Sequence, residues 1–441
     1  MRADFLNRTG NNHIKFVLEG EVYYEHFLNL LKNADKTIHL QTYIFADDAF
    51  GQAVQHELKE AAERGVKVYL LIDSVGSMGF PEKSQKALVA AGVHFCRFNE
   101  VQFRWLGQWG RRLHHKVLLI DHTKAMIGGV NVISEAYGHV GVPHQLDFAV
   151  YVEGPVTIGL TQYCQIVFAK SCDRKMKFKK GSTERSVDPN GVELKISIND
   201  WFFQRWQITR QYSELTDNAK KEIIILNSYF FPRRKFMKQL AAAARQGVKV
   251  RLILPKISDW PSYVYATQYL YSFFLRNGVE IYQWKDSILH GKLATIDGRW
   301  STIGSFNLNY TSYQQNLEMN VDIYSESFAA QLNQKLQLLI ETGCEKIEIS
   351  EFIENAPFKA RLMRFIYYVL LNLVANFSIG LAFQEKKARN RIFKRISIAV
   401  TLGFLVLGII GLIIPGMPGV PFLIISFLLV YGQIVFNDRN V

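Results

Sequence analysis

Two histidine–lysine pairs are the residues of this chain best suited to covalent chemistry. His114-His-Lys116-Val-Leu-Leu-Ile-Asp121 is followed, six residues on, by Gly128-Gly129-Val-Asn131, and His290-Gly-Lys292-Leu-Ala-Thr-Ile-Asp297 is followed at the same interval by Gly304-Ser305-Phe-Asn307. A single chance occurrence of five such fixed identities is about a 10⁻⁴ event in a chain of this length. Two sets facing one another suit displacement at phosphorus. One neutral histidine can attack and hold a covalent phosphoryl group, while the other, protonated, gives its proton to the departing alkoxide. Lys116 and Lys292, with Asn131 and Asn307 and supported by Gly129 and Ser305, can bind the non-bridging oxygens as charge develops. Asp121 and Asp297 complete each catalytic set by organising the turn and the lysine rather than by reacting. The scheme needs no metal and no cofactor, and the chain has no HExxH pattern, no clustered carboxylates and no GxxxxGK[ST] loop.

A neutral histidine must have its second nitrogen held so that the tautomer is fixed. Asp147, in Gln145-Leu-Asp147-Phe-Ala-Val, and Glu318, in Asn316-Leu-Glu318-Met-Asn-Val, each follow a motif and open a strand, which makes them candidate histidine-orienting acids.

The elements that must position these groups can also be read. Val117–Ile120 and Leu293–Ile296 are short apolar runs that end in turn residues, as buried strands do. Side chains two apart on a strand share a face, so each histidine points the same way as its lysine. The duplication extends upstream: Ala61-Ala-Glu-Arg-Gly65-Val-Lys-Val parallels Ala242-Ala-Ala-Arg-Gln-Gly247-Val-Lys-Val, and Gln41-Thr-Tyr-Ile-Phe45 parallels Asn227-Ser-Tyr-Phe-Phe231. Each half runs strand, helix, strand, helix, strand, then the motif hairpin. This predicts an α/β sandwich with a largely parallel sheet, built twice, its motifs face to face across a pseudo-two-fold axis. The expected boundaries are a first half at 1–170, a basic linker at 171–196 and a second half at 197–350. A basic interfacial helical segment at 351–395 and a hydrophobic membrane hairpin at 396–436 follow.

The formal charge of +13 suits an anionic partner, either nucleic acid or an acidic membrane surface. The start of the chain lacks the apolar core of a signal peptide. The four cysteines, Cys96, Cys164, Cys172 and Cys344, form no CxxC and no paired spacing, so neither a disulfide framework nor a zinc site is expected and a reducing compartment fits. Two basic stretches could touch headgroups: Arg174–Lys180 in the linker and the aromatic-basic loop Phe103–Arg112. Ile396–Phe436 carries no charged residue and is broken by Pro415-Gly-Met-Pro418-Gly-Val-Pro421. Its first arm, Ile396–Ile414, would span about 28 Å as a helix, close to the hydrocarbon thickness of a bilayer. Phe365–Phe383 reads as a helix lying in the interface rather than a further span. The block Lys386–Arg395 precedes the hairpin directly, and positive flanks stay cytoplasmic, which places the catalytic halves on that side.

With both copies of HxKxxxxDxxxxxxG[GS]xN intact, the chain is similar to the phospholipase D superfamily over roughly Asn11–Ile347. Within it the sequence most resembles bacterial cardiolipin synthases, at Leu18-Glu-Gly20, at Gln41-Thr-Tyr-Ile-Phe-Ala-Asp-Asp48 and at Gly128-Gly-Val-Asn131-Val-Ile-Ser-Glu-Ala-Tyr137. The resemblance implies a phosphatidyl-histidine intermediate on one motif histidine, usually that of the first motif, with the other serving as acid and then base. It implies transfer between two phosphatidylglycerol molecules with release of glycerol, phosphatidylethanolamine being a further lipid partner, at a bacterial inner membrane. Asp147 and Glu318 fall where the family's histidine-orienting acids lie. Many relatives carry two N-terminal transmembrane helices, whereas here the apolar segments are C-terminal, and Asn309-Tyr-Thr-Ser312 stands where relatives often have Arg before the Ser. Three other readings are compatible with parts of the sequence: a hydrolase releasing phosphatidic acid, a nuclease or phosphodiesterase drawn to the charge of nucleic acid, and a non-catalytic membrane scaffold, which two intact motifs disfavour.

Overall fold

The computed structural model describes residues 6–18, 20–99, 111–134, 145–172, 178, 188, 190–200, 205–387 and 403. The loop Phe103–Arg112 (but for its last two residues), the basic stretch 174–180 (but for Phe178) and the apolar hairpin 396–436 (but for Gly403) lie outside them.

The two halves share one topology. In the first, the strands Thr37–Thr42, Lys67–Asp73 and His94–Phe98 pair in parallel through the helices Ala49–Glu63 and Glu82–Ala90. The first helix shows why the sequence folds this way: Asp48 caps it by accepting from the Gly51 N–H at 2.9 Å, and Phe50, Val54, Leu58 and Ala61 bury one face. The motif hairpin, Lys116–Ile120 with Lys124–Gly128, then adds antiparallel to Thr37–Thr42, and Phe148–Glu153 and Thr9–Leu18 continue antiparallel beyond it. The second half repeats this with Glu222–Asn227, Lys249–Pro255 and Glu280–Trp284 parallel, and Lys292–Ile296, Trp300–Gly304, Glu318–Tyr324 and Val192–Asp200 antiparallel. The expectation of a largely parallel sheet is therefore corrected to a mixed one. The hairpin reverses the chain within each motif, and the pairings on either side of it are antiparallel as well.

Thr9–Leu18 pairs with Val192–Asp200, which fuses the halves into one continuous sheet with their motif strands symmetrically placed about the join. Part of the stretch expected as a linker thus belongs to a strand at the centre of the molecule. One face of this sheet carries a core common to both halves, in which Leu119, Val150, Ile224 and Val321 are fully buried with residues of the helices Val156–Ser171 and Glu326–Gly343. Each such aliphatic side chain contributes about 1.5–3 kcal/mol relative to exposure. The opposite faces bury separate clusters, one per half. Both motif strands are buried along their whole length, so they are covered on both faces.

Both halves fall in one compact unit, which ends at Ala375. The C-terminal helix runs Phe358–Lys387, and among the described residues no helix is long and apolar enough to cross a membrane. Cys96 and Cys172 are joined by a disulfide with their Cα atoms 5.8 Å apart. The sequence reading expected none: the partners are 76 residues apart, and only the docking of Val156–Ser171 beside His94–Phe98 brings them together.

Candidate active site

Each motif hairpin closes in a tight turn whose two central residues have positive φ: Asp121 and His122 at 51° and 62°, Asp297 and Gly298 at 55° and 65°. The aspartates tie these turns to the neighbouring strand. Asp121 accepts from the backbone N–H groups of Asp35, Lys36 and Thr37 at 2.7–3.0 Å, and Asp297 accepts from Lys220, Lys221 and Glu222 at 2.7–3.1 Å. They sit at the far end of the motif strand, about 16 Å from the lysine. The structure therefore does not bring Asp121 or Asp297 to the lysines or the histidines. Instead each lysine folds back on its own motif, Lys116 Nζ donating to the His114 carbonyl at 2.6 Å and Lys292 Nζ to that of His290.

The histidine end of each motif is built by the other half. The backbone N–H groups of His114 and His115 donate to Leu317 O at 3.0 and 2.9 Å, and those of His290 and Gly291 donate to Leu146 O at 2.9 Å. Leu317 and Leu146 immediately precede the two acids. In consequence the acids cross over: Glu318 binds His114 Nδ1 at 2.9 Å, and Asp147 binds His290 Nδ1 at 2.6 Å. With Nδ1 occupied in both imidazoles, Nε2 is left as the reactive atom of each. Each candidate acid is thus hydrogen-bonded to the motif histidine of the half to which it does not belong.

The charges follow from burial. Burial pushes His114 down to about 4 against the pull of Glu318, and burial together with Lys292 lowers His290. Burial pushes Lys116 down to about 7, aided by Lys292, and Lys292 down to about 8. The acids respond oppositely. Burial alone would raise Glu318, but His114, Lys116 and the Ser305 hydroxyl hold it at about 2, and Lys292 and His290 keep Asp147 below the usual carboxylate range in the same way. The free site thus holds two neutral imidazoles, two ionised acids and two lysines whose charge is easily lost, an arrangement that an entering anion would reorganise.

The remaining predicted residues divide between ligand and scaffold positions. Asn131 Oδ1 accepts from the Ile44 N–H at 3.2 Å and Asn307 Oδ1 from the Ser228 hydroxyl at 2.8 Å, which leaves both amide nitrogens without an intramolecular partner among the described residues. Gly129 and Ser305, predicted as phosphate support, lie against the acids. Ser305 donates to Glu318 at 2.5 Å, whereas at Gly129 an added Cβ would stand 2.1 Å from Asp147 Oδ1. The shorter acid sits closer to the strand and needs glycine there.

Several contributors were missed by sequence reasoning. Ser312 and Asn316 donate to Glu318 Oε1 at 2.6 and 3.0 Å. Buried Asp73 accepts from the Leu113 N–H at 2.9 Å and so sets the residue before His114. Tyr43 and Tyr229 place their rings 5.1 and 6.2 Å from His114 and His290. The repeat of Tyr43 and Tyr229 at matching positions was the available signal, and it had been read only as duplication.

Comparison with known proteins fits this geometry. Residues 27–166 and 212–340 match the family described as cardiolipin synthase, PLD-like domain. The chain is 33% identical over 345 residues to cardiolipin synthase B of Shigella flexneri, covering 77% of this chain and 83% of that protein. It is 31% identical over 370 residues to cardiolipin synthase 1 of Staphylococcus epidermidis, covering 82% and 75%. In fold it is similar to a phosphatidylserine synthase from Haemophilus influenzae, with a TM-score of 0.65 at 15% identity over 82% of this chain and 94% of that one. Two intact motifs meeting in one site and matches of this extent lead to one assignment: the chain belongs to the cardiolipin synthase family with phospholipase D-like domains.

Proposed function

We propose that the protein is a cardiolipin synthase, a phosphatidyltransferase that moves the phosphatidyl group of one phosphatidylglycerol to a hydroxyl of another through a phosphatidyl-histidine, releasing glycerol. The observation that carries this reading is the crossed pairing of His114 with Glu318 and His290 with Asp147, because it makes one two-histidine site from two halves. One Nε2 attacks phosphorus while the other protonates the leaving alkoxide, and the second then acts as base toward the incoming hydroxyl. Lys116, Lys292, Asn131 and Asn307 hold the non-bridging oxygens, and Asp121 and Asp297 serve by fixing the hairpins that carry them. The halves at 1–170 and 197–350 act as one catalytic body, and the segments at 351–395 and 396–436 attach it to the membrane with the site on the cytoplasmic side. Phosphatidylglycerol is the lipid partner, with phosphatidylethanolamine a further lipid to be tested beside it.

The experiment offers the purified full chain defined phosphatidylglycerol vesicles, with and without phosphatidylethanolamine, and identifies products by mass spectrometry beside His114→Ala and His290→Ala. Cardiolipin and glycerol, both lost in either variant, are expected. Phosphatidic acid alone would make the protein a hydrolase, and no lipid product from folded protein would overturn the reading.

A further inference from the structure

The pseudo-two-fold symmetry of the site is also broken around its two tyrosines. Tyr43 and Tyr229 follow equivalent strands and lie against equivalent histidines. Tyr43 has the Lys116 ammonium 5.3 Å from its ring centroid. The Tyr229 hydroxyl instead donates to the carboxylate of Asp259, at 2.6 and 2.7 Å from its two oxygens. Asp259 stands in the exposed connection between Lys249–Pro255 and Pro261–Arg276, and the Ser258 hydroxyl donates to it at 3.1 Å. The acid on the Tyr43 side, Asp73, is buried, and its oxygens are taken by the N–H groups of Val75, Gly76 and Leu113. Among the described residues, then, a solvent-facing carboxylate is joined to the tyrosine beside His290 and none to that beside His114.

This asymmetry discriminates between the two ends of a phosphodiester. A carboxylate repels the anionic phosphoryl group but accepts hydrogen bonds from hydroxyls. We infer that Tyr229 and Asp259 form the subsite for the alcohol, a polyol with neighbouring hydroxyls such as a glycerol headgroup, on the His290 side of the reacting phosphorus. The inference rests on the proposed phosphatidyl transfer and assigns its direction. In-line displacement puts the covalent histidine opposite the alcohol, hence at His114. In the second step the acceptor oxygen forms its bond to phosphorus as the P–Nε2 bond to His114 breaks and the bonding pair returns to that imidazole. The hydroxyl proton passes to His290 Nε2, while Nδ1 remains on Asp147. In the first step the same His290 delivers a proton to the glycerol that leaves. One hydroxyl of the diol reacts while its neighbour is held by Asp259, so the subsite favours a diol over a simple alcohol.

The test uses the full chain in mixed micelles with phosphatidylglycerol as donor and two soluble acceptors at equal concentration, labelled glycerol and 1-propanol. Incorporation of label into phosphatidylglycerol and formation of phosphatidylpropanol give a glycerol-over-propanol ratio. In Asp259→Asn this ratio is expected to fall about tenfold, the worth of one hydrogen bond to a charged group, with Tyr229→Phe shifting it the same way and Asp259→Glu restoring most of it. A ratio unchanged in Asp259→Asn, or an equal decline with both acceptors, would overturn the subsite. Phosphatidyl label trapped in His290→Ala should map to His114, and recovery of label on His290 in a His114→Ala protein that still turns over would reverse the assignment. If the unsubstituted protein forms neither product, phosphatidyl transfer itself fails, and the inference with it.

Discussion

Replacing Gly129 by alanine should damage the histidine of the other half. The added Cβ would lie 2.1 Å from Asp147 Oδ1 and 2.8 Å from its Cγ and Oδ2, whereas ordinary contact begins at 3.4 Å. The backbone at Gly129 does not need positive φ, so the substitution acts through space alone. Asp147 must retreat by more than an ångström, and its 2.6 Å bond to His290 Nδ1 is lost. A misplacement of about 1 Å in a reacting group costs on the order of 10²-fold in rate, and overpacking of this kind costs about 1–3 kcal/mol of stability. Transfer should therefore fall about a hundredfold in a protein that still folds. The locus of the damage is the sharper measurement. With nitrogen-15 histidine, the hydrogen-bonded Nδ1 proton of His290 should disappear while that of His114, bonded to Glu318, persists. Activity within threefold of the parent, or loss of the His114 signal instead, would refute the crossed arrangement.

Three further outcomes are expected. Ser305→Ala removes a hydroxyl that helps hold Glu318 at about 2; because that carboxylate is depressed in the fold, its stabilisation is complete above the ordinary carboxylate range and disappears as pH falls toward 2. The variant should be less stable by about 1 kcal/mol in urea titrations at neutral pH, and its acid-linked loss should be complete at a higher pH than the parent's; overlapping curves would contradict this. Binding of inorganic vanadate near pH 7.5 should take up protons, because an anion raises the lysines and histidines that burial has lowered; calorimetry in buffers of different ionisation enthalpy reads this directly, and zero or negative uptake would count against it. If the catalytic halves face the cytoplasm, the Cys96–Cys172 disulfide should be held reduced in the cell and both residues recovered as thiols after rapid alkylation of whole cells; recovery of the disulfide would argue for the other side of the membrane.

The motif strands, their turns and the strand–helix alternation were legible because periodicity and turn residues act over a few neighbours. The crossing of the acids was not. His114 and Glu318 are 204 residues apart, and only the docking of Leu317 onto His114 and His115 selects that partner over Asp147. The sheet is a related case: strand–helix alternation predicts parallel pairing, which holds for Thr37–Thr42, Lys67–Asp73 and His94–Phe98, but it carries no information on the hairpin and later strands, which pair antiparallel. The difference between Gly129 and Ser305 goes with aspartate being one methylene shorter than glutamate, a link that is visible only once each acid is placed beside its residue. Asp121 and Asp297 read as organisers of both the turn and the lysine; they do tie down the turn, while five residues of extended strand hold them apart from the lysine. The Cys96–Cys172 pair and Asp73 left no pattern at all, since tertiary packing alone gives each its neighbour.

The exchange of acids between halves also orders events during synthesis. As the chain leaves the ribosome, His290 emerges into a structure where Asp147 already exists, 143 residues behind it. His114 must wait 204 residues for Glu318. Even with every residue of its first motif present, a nascent or truncated chain therefore lacks the carboxylate that aims the histidine proposed to attack. The enzyme becomes chemically competent only when Glu318–Tyr324 docks into the sheet, so fragments that reach the lipid surface before that point should be inert toward it.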